Sequence, residues 1–171
     1  MDTTHTVDIL VTDRERRVML VERGKEPFRG KLVLPGGHVD AEDYARARAE
    51  PEAALRVSPG KKAASWSHSA DTENPLRAIA ERIAAARELA EETGVVVEPG
   101  ELWFNLELNR PGRDPRGHYV SRVYGVGLSP DRLLAARAGS DARRVVIRDV
   151  NDVREDEMGF DHYDAILLLQ D

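Results

Sequence analysis

The chain has 171 residues, a length that suits one folded unit, and its 41% hydrophobic and 33% charged content supports a core while excluding a collagenous, coiled-coil or wholly disordered class. Its 25 Lys and Arg against 31 Asp and Glu give a net charge of −6, which disfavours general nucleic-acid binding and calls for metal ions or local arginines if phosphates are handled. There is no cysteine, so disulfides, thiolate zinc sites and cysteine nucleophiles are excluded; without a basic-then-apolar leader or an apolar run of membrane-spanning length, a cytoplasmic protein with no membrane partner is expected.

Residues 6–11 and 17–21 are apolar stretches joined by Asp13-Arg14-Glu15-Arg16, the pattern of a β-hairpin. After a loop carrying Pro27 and Gly30, residues 32–34 read as a short buried strand, stopped by the turn Pro35-Gly36-Gly37. Residues 44–74 differ in character, with Ala-Arg repeats, Pro51 and Ser58-Pro59-Gly60; they read as an inserted excursion, a short helix through Ala49 and then a mobile loop. A helix is predicted over 75–93. Asn74 suits its N-cap, Pro75 its first position and Gly94 its C-terminal stop, while Leu76, Ile79, Ile83, Ala86 and Ala90 recur at helical spacing as its buried face. Residues 95–97, 102–108, 119–128 and 143–150 read as strands, and 161–169 as a closing helix with Asp161 near its N-cap. Strands around two helices give an α/β, mixed-sheet layered domain over 1–171.

Chemistry concentrates in Arg87-Glu88-Leu89-Ala90-Glu91-Glu92-Thr93-Gly94-Val95. On a helix Glu88, Glu91 and Glu92 share one face, at i, i+3 and i+4. Three carboxylates there repel one another, and at a helix C-terminus the macrodipole disfavours them further. Hard divalent cations such as Mg²⁺ or Mn²⁺ relieve such repulsion and bridge to phosphates. Arg87 is placed to orient one carboxylate, and the turn at Gly36-Gly37 lets a backbone carbonyl approach an ion.

Gly37 together with the run from Arg87 to Val95 resembles the Nudix box of the Nudix hydrolases. The second half of the box matches at every fixed position. In the first half, Asp43 stands where the family has glutamate, and 43 residues separate it from Arg87 where the family has seven. Glu42, Asp43 and Glu73 are candidates for the displaced carboxylate; counted back along the helix, its place falls on Ile79. The segments 25–37 and 111–118, with Ala138-Gly139-Ser140-Asp141-Ala142 and Gly159-Phe160-Asp161-His162, are similar to parts of ADP-ribose pyrophosphatases. The same segments occur in Nudix-domain repressors that carry an added C-terminal DNA-binding domain, and no such domain is expected here.

The resemblance implies a Nudix-type α/β/α sandwich with a loop-helix-loop site. It implies Mg²⁺ or Mn²⁺ held by Glu88, Glu91 and Glu92 with the Gly36 or Gly37 carbonyl, and a catalytic role for Arg87, Glu88 and Glu91. The implied reaction is hydrolysis of a nucleoside diphosphate linked to another moiety, foremost ADP-ribose to AMP and ribose 5-phosphate. Phe28, Arg29, Arg113 and Arg116 are the expected substrate grips, each also readable as an ordinary surface-loop residue. Glu155 or Glu157, in a late acidic loop, is a candidate base. His38, His118 and His162 read as structural, Lys61-Lys62 as a solvated loop or a small anion patch, and Trp66 as a pin for the excursion onto its own domain or onto a partner subunit of a homodimer. A hydrolase of another nucleotide and a non-catalytic ligand sensor are the alternatives.

Overall fold

The computed structural model describes residues 2–139 and 141–170; Ser140, within one of the segments likened to ADP-ribose pyrophosphatases, lies outside the described residues. The hairpin forms as strands β1 (Thr4–Asp13) and β2 (Arg17–Arg23). Asp13 Oδ1 closes its turn by accepting the N–H groups of Glu15 and Arg17, both at 3.0 Å. β3 (Leu32–Val33) adds to β2, and β4 (Gly36–His38) pairs antiparallel with β1. The expected turn at Gly36-Gly37 is therefore a short strand. Pro35, which cannot donate to a ladder, breaks it from β3. After the helices come β5 (Trp103–Leu108), β6 (Tyr119–Leu128) and β7 (Ala142–Asp149). The sheet runs β3-β2-β1-β6-β5, with β4 on β1 and β7 on β2, and β1 and β6 are parallel from Thr4↔Tyr119 to Asp13↔Leu128.

Period-2 alternation divides the core. Val7, Ile9 and Val11 pack with Ala84, Ala85 and Leu89 on one side, and Leu10, Val18 and Leu20 pack with Ala165 and Ile166 on the other. Asp8 is in phase with Leu10, a carboxylate at a core position.

The predicted helix is α3 (Pro75–Thr93), following α1 (Ala41–Ala49) and α2 (Ser69–Thr72). Asn74 accepts the Arg77 N–H at 3.1 Å, and Gly94 ends the helix at φ 74°. Ile79 and Ile83 are buried as expected, whereas Leu76, Ala86 and Ala90 are half-buried. The buried face is wider than the apolar stripe and includes Glu81 and Arg82, because α3 is covered by the sheet on one side and by the 44–74 excursion on another.

The excursion contains a short helix, a 3₁₀ turn (Pro51–Leu55) and then a loop without helix or strand up to α2. Its helix begins at Ala41, before the expected boundary, and Ala47, Ala53 and Ala54 form a third cluster with Ile79, Ala80 and Ile83 of α3. Alanines on both faces allow close approach. A buried ion pair fixes the far end: Arg82 Nη1 meets Asp71 Oδ1 at 2.7 Å, with side-chain exposures of 0% and 1%. The Arg82 guanidinium lies between the rings of Trp66, at 4.4 Å, and Tyr124, at 4.8 Å, so Trp66 pins the excursion to its own chain.

Two expectations about elements fail locally, and one helix is additional. Residues 95–97 form no strand; the Val95 N–H turns back to Thr93 Oγ1 at 3.2 Å, and a 3₁₀ turn starts at Pro99. A short helix, α4 (Pro130–Leu134), was not anticipated although Ser129 caps it. The closing helix is only α5 (Tyr163–Leu167), because Asp161 binds Arg113 and does not cap. No helix among the described residues is long and apolar enough to cross a membrane.

Candidate active site

The site begins where β4 crosses β1, with Asp8 opposite Gly36 and Val7 opposite Gly37. A Cβ on Gly36 would fall on Oδ1 of Asp8 and the Val7 carbonyl; a Cβ on Gly37 would fall on the Glu88 carboxylate. Two carboxylates thus press on opposite faces of this strand, and only glycine lets them approach. Glu92 Oε2 accepts the Gly36 N–H at 3.2 Å. Glu88 and Glu92, stacked one turn apart on α3, line the pocket. Glu91 does not line it: its side chain is half-exposed, 3.5 Å from Arg87 Nη1.

This end of the pocket is electrically frustrated. Burial pushes the Glu92 carboxyl up to about 8; the Gly36 N–H opposes that shift, while Glu88, Asp8 and Asp141 add to it. Burial raises Glu88 too, although Arg87 works against it.

Arg87 bonds to two carboxylates and a carbonyl at this end of the pocket. Its Nε and Nη2 donate to both oxygens of Asp43 at 3.2 and 2.8 Å, its Nη1 to Glu88 at 2.9 Å and its Nη2 to the His38 carbonyl at 3.1 Å. The Asp43 bond leads the causes that keep the guanidinium firmly charged. Of the three candidates for the displaced carboxylate, Asp43 is the one that reaches Arg87, while Glu42 and Glu73 stay exposed.

The opposite end is cationic and aromatic. Arg113 and Arg116 both line the pocket. Arg113 is held by Asp161, with Nη2 2.7 Å from Oδ1, and Arg116 by Asp114, with Nη2 2.7 Å from Oδ2. The Arg116 guanidinium sits 4.6 Å over Tyr119 and 5.6 Å from Phe160, and Arg23 covers Phe160 at 5.0 Å.

Phe28 and Arg29 are not brought together as a grip. Phe28 packs on Phe160 at 4.6 Å, behind the pocket wall, and Arg29 lines a separate depression with Lys31, Arg144 and Arg148. Neither Glu155 nor Glu157 reaches the pocket; Glu157 binds Arg148 at 2.6 Å. His118 bonds Thr3 Oγ1 at 2.8 Å, and Lys61 reaches the Gly127 carbonyl at 3.3 Å.

Sequence reasoning missed Asp8, Arg23, Asp114, Tyr119, Asp141 and the pocket position of His162. Asp8 carried a signal as a charged residue inside the otherwise apolar run Val7-Asp8-Ile9-Leu10, and Asp114 and Asp141 lie in the segments likened to ADP-ribose pyrophosphatases. Arg23 carries none, since it meets the other pocket residues only through the fold.

The donors fit a hard divalent cation. They are carboxylate and carbonyl oxygens, the buried Glu92 carboxyl has other carboxylates beside it, and the glycine strand is shaped around Glu88 and Asp8. Among the described residues, no three His, Asp or Glu side chains already converge as a closed ligand set.

No family model matches the chain. An ADP-ribose pyrophosphatase from Methanocaldococcus jannaschii is 24% identical over 152 residues, covering 89% of this chain and 64% of that protein, so the chain spans less than two thirds of that relative. The Nudix domain of Shewanella oneidensis NrtR, solved with ADP ribose, superimposes with a TM-score of 0.67 at 22% identity, over 98% of this chain and 86% of that one. A bifunctional NMN adenylyltransferase/ADP ribose pyrophosphatase from Francisella tularensis, solved with AMP and a Mn ion, gives 0.66 at 22% identity, over 98% and 41%. The fold is the Nudix fold, and in sequence the chain is similar to ADP-ribose pyrophosphatases. Shewanella NrtR has also been solved with a 27mer DNA, and that chain superimposes with a TM-score of 0.59 at 24% identity, over 96% of this chain and 59% of that one.

Proposed function

We propose that this Nudix-fold chain hydrolyses the pyrophosphate bond of a nucleoside diphosphate linked to a second moiety, with ADP-ribose, cleaved to AMP and ribose 5-phosphate, as the foremost substrate. The observation that carries the reading is the polarity of one pocket, with Glu88 and Glu92 against the glycine strand at one end and Arg113, Arg116 and aromatic rings at the other. A pyrophosphate with two organic ends needs charge neutralisation at its centre and separate grips beyond it.

Glu88 and Glu92, with a carbonyl of Gly36 or Gly37 and with Glu91 at the rim, are the residues that would hold Mg²⁺ or Mn²⁺. Such an ion supplies charge neutralisation on the phosphates and lowers the pKa of water. Arg87 fixes the Glu88 rotamer and, through Asp43, its own. Arg116, preset by Asp114, presents a planar donor to a phosphate or a face to a base. Asp141, beside the acidic end and paired with Lys25 at 2.7 Å, is better placed to accept a proton than either late-loop glutamate. The lack of cysteine keeps the cytoplasm as the expected setting.

The test is Mg²⁺-dependent turnover of ADP-ribose, dGTP, its oxidised form, NADH and diadenosine polyphosphates side by side. ADP-ribose should give the highest kcat/KM, and Arg116→Ala should lower it selectively. Glu92→Gln should cut turnover about a hundredfold or more while the fold survives. A triphosphate ahead by tenfold would refute the substrate, and an active Glu92→Gln the metal assignment.

A ligand-sensing role is the second reading, favoured by the likeness to NrtR. The Asp43–Arg87 pairing weakens it, because the departure in the box leaves the organising bond in place.

A further inference from the structure

Asp8 is a carboxylate in phase with the core residue Leu10, its side chain 10% exposed, at the floor of the pocket. A buried carboxylate is retained only when its oxygens are matched. Ser121 Oγ donates to Oδ2, and His162 Nε2 lies 3.3 Å from the same oxygen. The tautomer of that histidine is fixed by its other nitrogen: Nδ1 accepts the Leu34 N–H at 3.1 Å, so the proton is on Nε2 and points at Asp8. Both donors therefore converge on Oδ2. Oδ1 has no partner among the described residues and lies in the space that a side chain at position 36 would fill.

We propose that Asp8 is a specificity-determining residue whose free Oδ1 accepts a hydrogen bond from a ribose hydroxyl of the bound nucleotide. The ligand class rests on the proposed function; the argument for a hydroxyl does not need ADP-ribose in particular. Asp8 lines the same pocket as Glu92, Arg113 and Arg116; its charge acts on Glu92 and Arg116 and feels Arg113. A phosphate would be repelled by Asp8, and Ser121 and His162 already occupy Oδ2, which leaves a single acceptor oxygen for the ligand. On a nucleotide the sugar hydroxyls are neutral donors that flank the phosphates, and one of them is the donor assigned to Oδ1. Ser121 and His162 are positioning residues, holding the carboxylate so that one oxygen faces the ligand.

Equilibrium binding to the full chain tests this with ribo and deoxy pairs. The pairs are ADP-ribose against forms lacking the 2′-hydroxyl of either ribose, and ATP against dATP, with the inosine analogue of ADP-ribose as a control for the base amino group. Wild-type protein should prefer the ribo member of one pair by tenfold or more, the size expected of a hydrogen bond to a charged group. Asp8→Asn, which keeps the shape and the Ser121 contact, should bring that preference below threefold while binding of the deoxy partner changes little. A merely structural role for Asp8 would weaken both members equally, and that result overturns the proposal. So does equal binding of every ribo and deoxy pair by the wild-type protein, which needs no variant to fold, and so does a preference that follows the base amino group. If ADP-ribose is not hydrolysed but ATP is preferred over dATP in an Asp8-dependent way, the substrate proposed above fails and this one stands.

Discussion

Asp43 shows how a single substitution in a motif is read once its partner is known. One carbon shorter than glutamate, it still meets both Nε and Nη2 of Arg87, because α1 carries it forward onto the guanidinium. Arg87 in turn holds Glu88. Asp43→Ala should therefore lower turnover roughly ten- to a hundredfold, in the range seen when the support of a ligand is removed. The loss should appear in activity and metal affinity and also in folding, since the Asp43 carboxylate is buried and accepts the Asp40 N–H at 2.8 Å at the start of α1. Asp43→Glu should stay within about threefold of wild type. Turnover at several Mg²⁺ concentrations measures both; if Asp43→Ala is as active as wild type, Arg87 does not organise Glu88 through it.

Among the elements, α3 is the one that joins every part. Its sheet side buries alanines and Leu89, its C-terminal turn presents Glu88 and Glu92, and its remaining side takes the excursion. The excursion is attached by a buried Arg82–Asp71 pair, and one buried nitrogen of Arg82 and one buried oxygen of Asp71 lack hydrogen-bond partners. Removing one partner of such a pair leaves an uncompensated buried charge. Asp71→Ala should cost about 3–5 kcal/mol, more than a surface ion pair of similar geometry. Urea unfolding at pH 7 checks this, and a loss under 1 kcal/mol would mean that water already solvates Arg82. Replacing 44–74 by a short linker also strips Ile79, Ala80 and Ile83 of their alanine cover, so that deletion should destabilise the protein even though long surface loops cost little by themselves.

Over the whole molecule the titrating groups divide into two sets. Burial pushes Asp114 up, but the Arg116 side chain and N–H outweigh it and hold the carboxyl below its usual value. Glu107 and Glu101 follow the same pattern, burial being overcome by Arg122 and Asn109 for the first and by Ser58 and the Glu98 N–H for the second. A carboxyl lowered in the folded state contributes stability above its unfolded pKa and loses it as pH falls through the folded value. Glu81, Glu88 and Glu92 are raised, chiefly by burial, and have the opposite sign: their contribution is largest at low pH and declines as pH rises. Stability should therefore hold from neutral pH down to about the ordinary carboxylate pKa near 4 and then fall. Asp114→Asn should lose less stability than wild type between pH 5 and pH 3; an identical acid limb in the two proteins would show that Asp114 is not coupled to folding.

What was legible in the sequence was local. The hairpin, α3 with its caps, β6 and the carboxylate run depend on periodicity, capping chemistry and spacing, all carried by neighbours in the chain. Arg113 and Arg116 were singled out by the resemblance of their loop to that of ADP-ribose pyrophosphatases, not by local chemistry, which reads there as an ordinary polar loop. The rest depended on contacts between distant segments. No spacing says that Glu88 and Asp8 squeeze the glycine strand from opposite sides, that Phe160 and Arg23 line the pocket while Phe28 and Arg29 do not, or that Glu91 lies outside it. Residues 44–74 look polar and interrupted along the chain, yet they pack, because their alanines and Asp71 meet partners that α3 supplies from more than ten residues away. Sequence by itself determined which groups the protein owns and how its elements begin and end. The tertiary structure decided which of them face the pocket, since burial and charge pairing act through space and are blind to distance along the chain.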